Sequence, residues 1–169
     1  MQHAELIGQL AQNRDVFSAL FTGVTAHQVS WKPAADKWSL LEVLCHLYDE
    51  EREDFRARLK HTLETPNEPL PKIDPQGWVK ERGYASRDFG KTLYLFLHER
   101  DESVKWLKGL ENPSWANAYQ HPKFGPMSAE MFLANWLAHD YLHFRQITRL
   151  KYDYLRAHTT VRYDYAGDW

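Results

Sequence analysis

The chain has 169 residues, 43% hydrophobic and 26% charged, which fits a single globular domain over residues 1–169. Aromatic residues reach 14%, a content that excludes disorder for the bulk of the sequence. Lys and Arg total 21 against 23 Asp and Glu, so the net charge is −2 and no basic surplus points to nucleic acid.

The first predicted helix runs from about Ala4 to Phe21, where Leu6, Ile7, Leu10, Phe17, Leu20 and Phe21 recur every three or four residues. The second starts after Trp38 and is expected to reach about Lys60. Ser39 and Glu42 have the spacing of a capping box, in which each side chain satisfies a free backbone amide of the first turn. Leu40, Val43, Leu44, Leu47, Glu51 and Phe55 share one side of that helix, so a carboxylate interrupts an otherwise apolar stripe. Thr65 to Ser86 carries Pro66, Pro69, Pro71, Pro75, Gly77 and Gly83, too much punctuation for a long regular element. A connection of that length in a compact domain signals a functional loop or a short extra helix.

A third helix is predicted from about Asp88 to Leu110, with Phe89, Leu93, Phe96, Leu97, Arg100, Val104 and Leu107 in period. Glu111 to Met127 reads as a shorter loop. Ser128 then caps a fourth helix, expected to end near Lys151. Met131, Phe132, Leu133, Trp136, Leu137, Leu142, Phe144, Ile147 and Leu150 make it apolar nearly all round, the mark of a central helix. The tail from about Asp153 to Trp169 holds Tyr154, Tyr163, Tyr165 and Trp169, enough aromatic surface to pack on the body or on a partner. Weak alternation over Thr160 to Tyr165 is the one strand signal. The expected architecture is all-α: a four-helix bundle with a long loop between helices two and three.

No apolar run approaches the roughly 18 residues that span a bilayer. Met1-Gln2-His3-Ala4-Glu5 lacks the basic start and apolar centre of a signal peptide. Cys45 is the only cysteine, so no intrachain disulfide can form, and the expected compartment is the cytoplasm.

Nine histidines is a high count, and two of them, His139 and His143, stand one helical turn apart on the fourth helix. That spacing lets both imidazoles share a metal ion, although chance alone gives roughly half of one such pair at any fixed spacing. Phe132, Asn135, Trp136, Gln146 and Leu150 share their face, so the pair looks inward. Two core histidines satisfied by hydrogen bonds would give the same pattern. His46 falls outside the apolar arc of the second helix, at the rim of the core or along an open cleft, with Glu42 and Glu50 one turn to either side. The sequence pattern alone favours an ordinary surface histidine with helix ion pairs.

His139-Asp140-Tyr141-Leu142-His143 is near the HExxH of zinc proteases, but Asp is one methylene shorter than the Glu that activates water there. A ferritin-like di-iron site needs Glu three residues before His, and no histidine here has it. Cys45 points about 100° away from His46, which argues against a Cys–His dyad.

Two motifs, in order, resemble the DinB-like (DinB/YfiT) family. They are Trp38-Ser39-Leu40-Leu41-Glu42-Val43-Leu44-Cys45-His46-Leu47 and His139-Asp140-Tyr141-Leu142-His143-Phe144-Arg145-Gln146-Ile147. Gly125 and Arg100 also fit, and the resemblance extends from the first helix to about Lys151. It implies an up-down-down-up style four-helix bundle and a divalent metal held by His46, His139 and His143. Arg145 departs from the pattern, since many members carry Gly or Ala there; a bulky cation at this position bears on the packing or the substrate pocket.

Three neutral imidazoles leave a metal with open positions, the catalytic rather than the structural pattern. All-nitrogen ligation suits Zn, Ni, Fe or Co more than Mg or Ca. The resemblance therefore implies a metal-dependent enzyme that activates water or a low-molecular-weight thiol, as a hydrolase or a thiol S-transferase acting on a small molecule. Glu50 is the candidate for proton handling, with Gln146 and Asn135 as polar contacts. The alternative is a stress-associated binding or dimerisation module with a structural or vestigial metal site. The aromatic tail is compatible with a homodimer.

Overall fold

The computed structural model describes residues 1–167. In chain order the elements are α1 (His3–Phe21), α2 (Ala26–Ser30), α3 (Leu40–Glu50), a π-helical turn (Glu51–Phe55), α4 (Arg56–Glu64) and α5 (Pro75–Glu81). A 3₁₀ turn (Tyr84–Ser86), α6 (Phe89–Lys108), β1 (Ala118–His121), β2 (Gly125–Ser128), α7 (Ala129–Ala157) and a second 3₁₀ turn (Asp164–Ala166) follow. Four of these rods make a four-helix bundle: α1, the continuous α3–α4 rod, α6 and α7.

Capping chemistry sets three of the helix starts. The Ser39–Glu42 box forms as expected at the head of α3. The Asp88 carboxylate accepts from the Lys91 amide at the head of α6, and the Ser128 hydroxyl accepts from the Met131 amide at the head of α7. The connection Thr65–Ser86 does contain a short helix, α5, started by Asp74. Its Trp78 is buried, and the Tyr84 hydroxyl donates to Asp49 at 2.8 Å, which ties the connection to α3.

Two expectations need correcting. Thr160–Tyr165 forms no strand; the antiparallel pair of the described residues lies at β1 and β2, inside the expected loop Glu111–Met127. Each strand has four residues, and Gln120 pairs opposite Pro126, so neither has the length or composition that alternation detects. The second is α7, which continues past Lys151 to Ala157, because Lys151-Tyr152-Asp153-Tyr154-Leu155-Arg156 contains no helix breaker and Arg149 pairs with Asp153 one turn on. The tail folds back on the end of α7, where the Tyr163 hydroxyl donates to the Leu155 carbonyl at 3.3 Å. Tyr165 is fully exposed, and Trp169 lies outside the described residues.

The apolar core falls into two main clusters along the bundle. Leu6, Leu10, Leu59, Leu107, Leu133 and Trp136 make one. Phe17, Phe21, Val43, Leu44, Phe96 and Ile147 make the other. In each rod the chain passes from one cluster to the other through a buried polar residue: Asn13, Glu51, Arg100 and Asp140. These four form one layer. Arg100 Nε and Nη2 donate to Glu51 Oε1 and Oε2, both at 2.9 Å. Its Nη1 and Nη2 donate to Asp140 Oδ2 and Oδ1 at 2.7 and 2.8 Å, and Nη1 also reaches the Leu10 carbonyl at 3.2 Å. Asn13 Nδ2 donates to Asp140 Oδ2 at 2.9 Å, and Trp136 Nε1 donates to Glu51 Oε2 at 3.0 Å. Burial alone would lower the Arg100 pKa; the two carboxylates more than offset it and hold the guanidinium above its ordinary range.

Removing Arg100 strands two buried carboxylates, so Arg100→Met should cost about 3–5 kcal/mol of stability. A urea midpoint that falls with an unchanged m-value is the expected result. Adding Asp140→Asn and Glu51→Gln to that variant should recover part of the loss.

Candidate metal centre

α3 and α7 each contribute two side chains one turn apart: His46 and Glu50 from α3, His139 and His143 from α7. The rings converge, with centroids 5.5 Å apart for His46–His139, 5.0 Å for His46–His143 and 4.2 Å for His139–His143. One nitrogen from each ring lies within 4.8 Å of the others. Nε2 of His139 and Nε2 of His143 are 2.9 Å apart. Glu50 Oε2 is 3.3 Å from His139 Nε2 and 4.0 Å from His46 Nε2.

Water is largely excluded. His46 and His143 are buried, the Trp38 ring covers His46 with centroids 4.9 Å apart, and the Phe55 ring lies 4.8 Å from that of His139. Burial is the main reason the imidazoles stay neutral. It lowers His46 to about 3, helped by His143, and lowers His143 to about 4 against the pull of Gln146. His139 falls well below its ordinary value through burial and then through the other two rings, with Arg100 adding a small push. The same burial, together with nearby Asp54, raises Glu50 to about 8 despite Arg58.

The set fits a transition metal. The rings are neutral, the form that coordinates. The nitrogens that face one another are Nε2 of His139 and of His143, and Nε2 of His46 is turned to the same Glu50 oxygen as that of His139. Nitrogens on one tetrahedral zinc stand roughly 3.3 Å apart. The observed spacings, from 2.9 Å to within 4.8 Å, bracket that value.

The sequence places the four residues correctly on their helices, with one difference: His46 is buried beneath Trp38 rather than lying at an open rim. Gln146 stands beside His143. Asn135 is exposed, its amide donates to the Met131 carbonyl of its own helix, and it lines the smaller cavity that meets His139. Cys45 faces away, its thiol 3.8 Å from the Tyr84 carbonyl and pushed up to about 12 by burial. Trp38 and Phe55 were not singled out from sequence, where each reads as ordinary core.

Two cavities adjoin the cluster. One, of about 770 Å³, meets His143 and Gln146. The other, of about 280 Å³, meets His139 and is walled by Phe55, Met127, Met131 and Phe132. Leu142 borders both.

A helical bundle with three imidazoles facing one another across two of its rods, two of them buried, is the class of protein that fold and site define. The profile of the DinB superfamily matches residues 9–147, and the chain belongs to that family. Among solved structures it is similar to YfiT from Bacillus subtilis, described as a probable metal-dependent hydrolase with an unusual four-helix bundle topology. The TM-score is 0.77 at 19% identity, over 88% of this chain and 85% of that one. No curated protein matches the chain. Among the described residues no helix is long and apolar enough to cross a membrane.

The lowered imidazoles predict the acid sensitivity of the metal-free protein. The unfolded chain takes up protons below the ordinary histidine value of 6.5, while the folded rings resist them down to about 4. Stability should therefore fall as pH drops through that window. Glu50 opposes the trend above 4.5, with one carboxyl against three rings. Melting curves of the chelated protein between about pH 7 and about pH 5 should show the fall, and His143→Gln should flatten it.

Proposed function

We propose that the chain is a divalent-metal-dependent enzyme acting on a small molecule, with His46, His139 and His143 holding the ion and Glu50 moving the proton. The observation that carries this reading is the convergence of three imidazoles, two buried and one half-buried, on one buried carboxyl group. Three protein ligands leave coordination open, whereas structural sites close it with four. Bound Zn, Ni, Co or Fe would supply Lewis acidity, bringing the pKa of water or a thiol towards neutrality.

The remaining work falls to the chain. The i, i+4 spacing on α7 and the facing position on α3 hold the three rings in register. Trp38 and Phe55 keep bulk water from the flanks of His46 and His139. Glu50 Oε2 sits where it can accept a proton from an O–H or S–H nucleophile and return it to the leaving group. Burial raises its pKa in the metal-free protein, and a cation held by the three imidazoles would draw it back towards the ionised form that accepts a proton. Hydrolysis of an ester or amide needs no more than this. A second reading, transfer of a thiol to an electrophile, is favoured by the pair of cavities, which offers separate room for two reactants.

Elemental analysis of untagged protein should find close to one equivalent of Zn, Ni, Fe or Co. His46→Ala and His143→Ala should lose it while helicity persists. No uptake by the wild type, after incubation with each ion, would overturn the proposal. Glu50→Gln should retain metal while turnover falls about 10²- to 10⁴-fold. Thiol consumption that needs an electrophile, against ester cleavage that needs none, separates the two reactions.

A further inference from the structure

The larger cavity has a composition that selects its occupant. It reaches the cluster at His143, and Trp38, whose ring covers His46, forms another part of its wall. Leu142 and Leu150 add apolar surface. The charged residues along it are Lys37, Arg145, Arg149 and Asp153, three cations against one carboxylate, in a chain of net charge −2. Two of the cations are already engaged: Lys37 with Asp36 at 3.2 Å, and Arg149 with Asp153 at 3.0 Å. Arg145, two residues beyond His143 on α7, has no carboxylate at ion-pair distance among the described residues.

A guanidinium with no carboxylate partner on the wall of a mainly apolar recess is matched by a planar anion on an apolar body, because a guanidinium fork binds a carboxylate through two parallel hydrogen bonds. We infer that the substrate carries a carboxylate on a short apolar or aromatic body, with Arg145 as its anchor and the reacting bond directed past Trp38 towards the three imidazoles. This inference rests on the metal-enzyme reading for the word substrate; the anion site itself does not. It gives Arg145 a role in specificity, and it sets the reactive end of the ligand against His143, which lines the same cavity.

Ligand-observed NMR on the zinc-loaded protein tests it, with 4-phenylbutyrate and its neutral amide as probes. The wild type should prefer the acid. Arg145→Gln should weaken the acid about tenfold, the scale of a lost charge-assisted hydrogen bond, and leave the amide unchanged. Arg145→Lys should restore part of the preference. Equal affinity for acid and amide, or no binding of the acid at millimolar concentration, overturns the inference. So does an acid preference that survives Arg145→Gln but vanishes when zinc is removed, since the carboxylate would then be binding the ion. Metal content measured on the same samples keeps the two readings apart. An Arg145-dependent preference in protein that takes up no metal upholds the anion site and removes the enzyme.

Discussion

Arg100 has to be paired, and the way it is paired organises the protein. A guanidinium in the centre of a bundle is tolerable only when its donors are all met, and the partners here come from different rods: Glu51 after α3, Asp140 from α7 and the Leu10 carbonyl from α1. The contact fixes both the height and the rotation of α3 against α7. Glu51 and Asp140 each have a sequence neighbour, Glu50 and His139, that faces the histidine cluster instead. One buried ion network therefore sets the register of the neighbouring site, and the π-helical turn begins at the residue that changes face.

The site is assembled by burial more than by attraction. The three neutral imidazoles share a single hydrogen bond, between His139 and His143, and two of their ring nitrogens find no hydrogen-bond partner. The rods hold them there because the flanking apolar clusters and the Arg100 layer stabilise the arrangement regardless. A cluster held in this way is already organised before any ligand arrives.

Much of this was legible in the sequence, and the residues explain the limits. Periodicity and caps located the four rods: Ser39 and Ser128 are caps in both readings, and Asp88, read as the start of the third helix, caps it. Glu51 and Arg100 each stood on an apolar stripe, opposite charges in core positions of two helices, and that was the visible trace of the buried layer. The π-helical turn left no such trace, because it changes the winding without changing the pattern. The hairpin escaped because strands of four residues with Pro126 between them carry no alternation. His46 was misjudged as rim because a helical wheel describes one helix, whereas the ring that covers it, Trp38, comes from the segment before that helix.

That segment has a consequence of its own. Trp38 immediately precedes the N-cap of α3, so the bonds that begin the helix also determine where the indole lies. Glu42 Oε2 accepts from the Ser39 amide at 2.8 Å, while its Oε1 takes the Lys32 ammonium at 2.7 Å, pinning both ends of the approach to the helix. The cap thus acts as a latch on the roof of the site. Fraying of the first turn of α3, ordinarily a minor local event, would lift the indole from His46 and open the cluster to water. Opening of the site and melting of that turn are then the same motion.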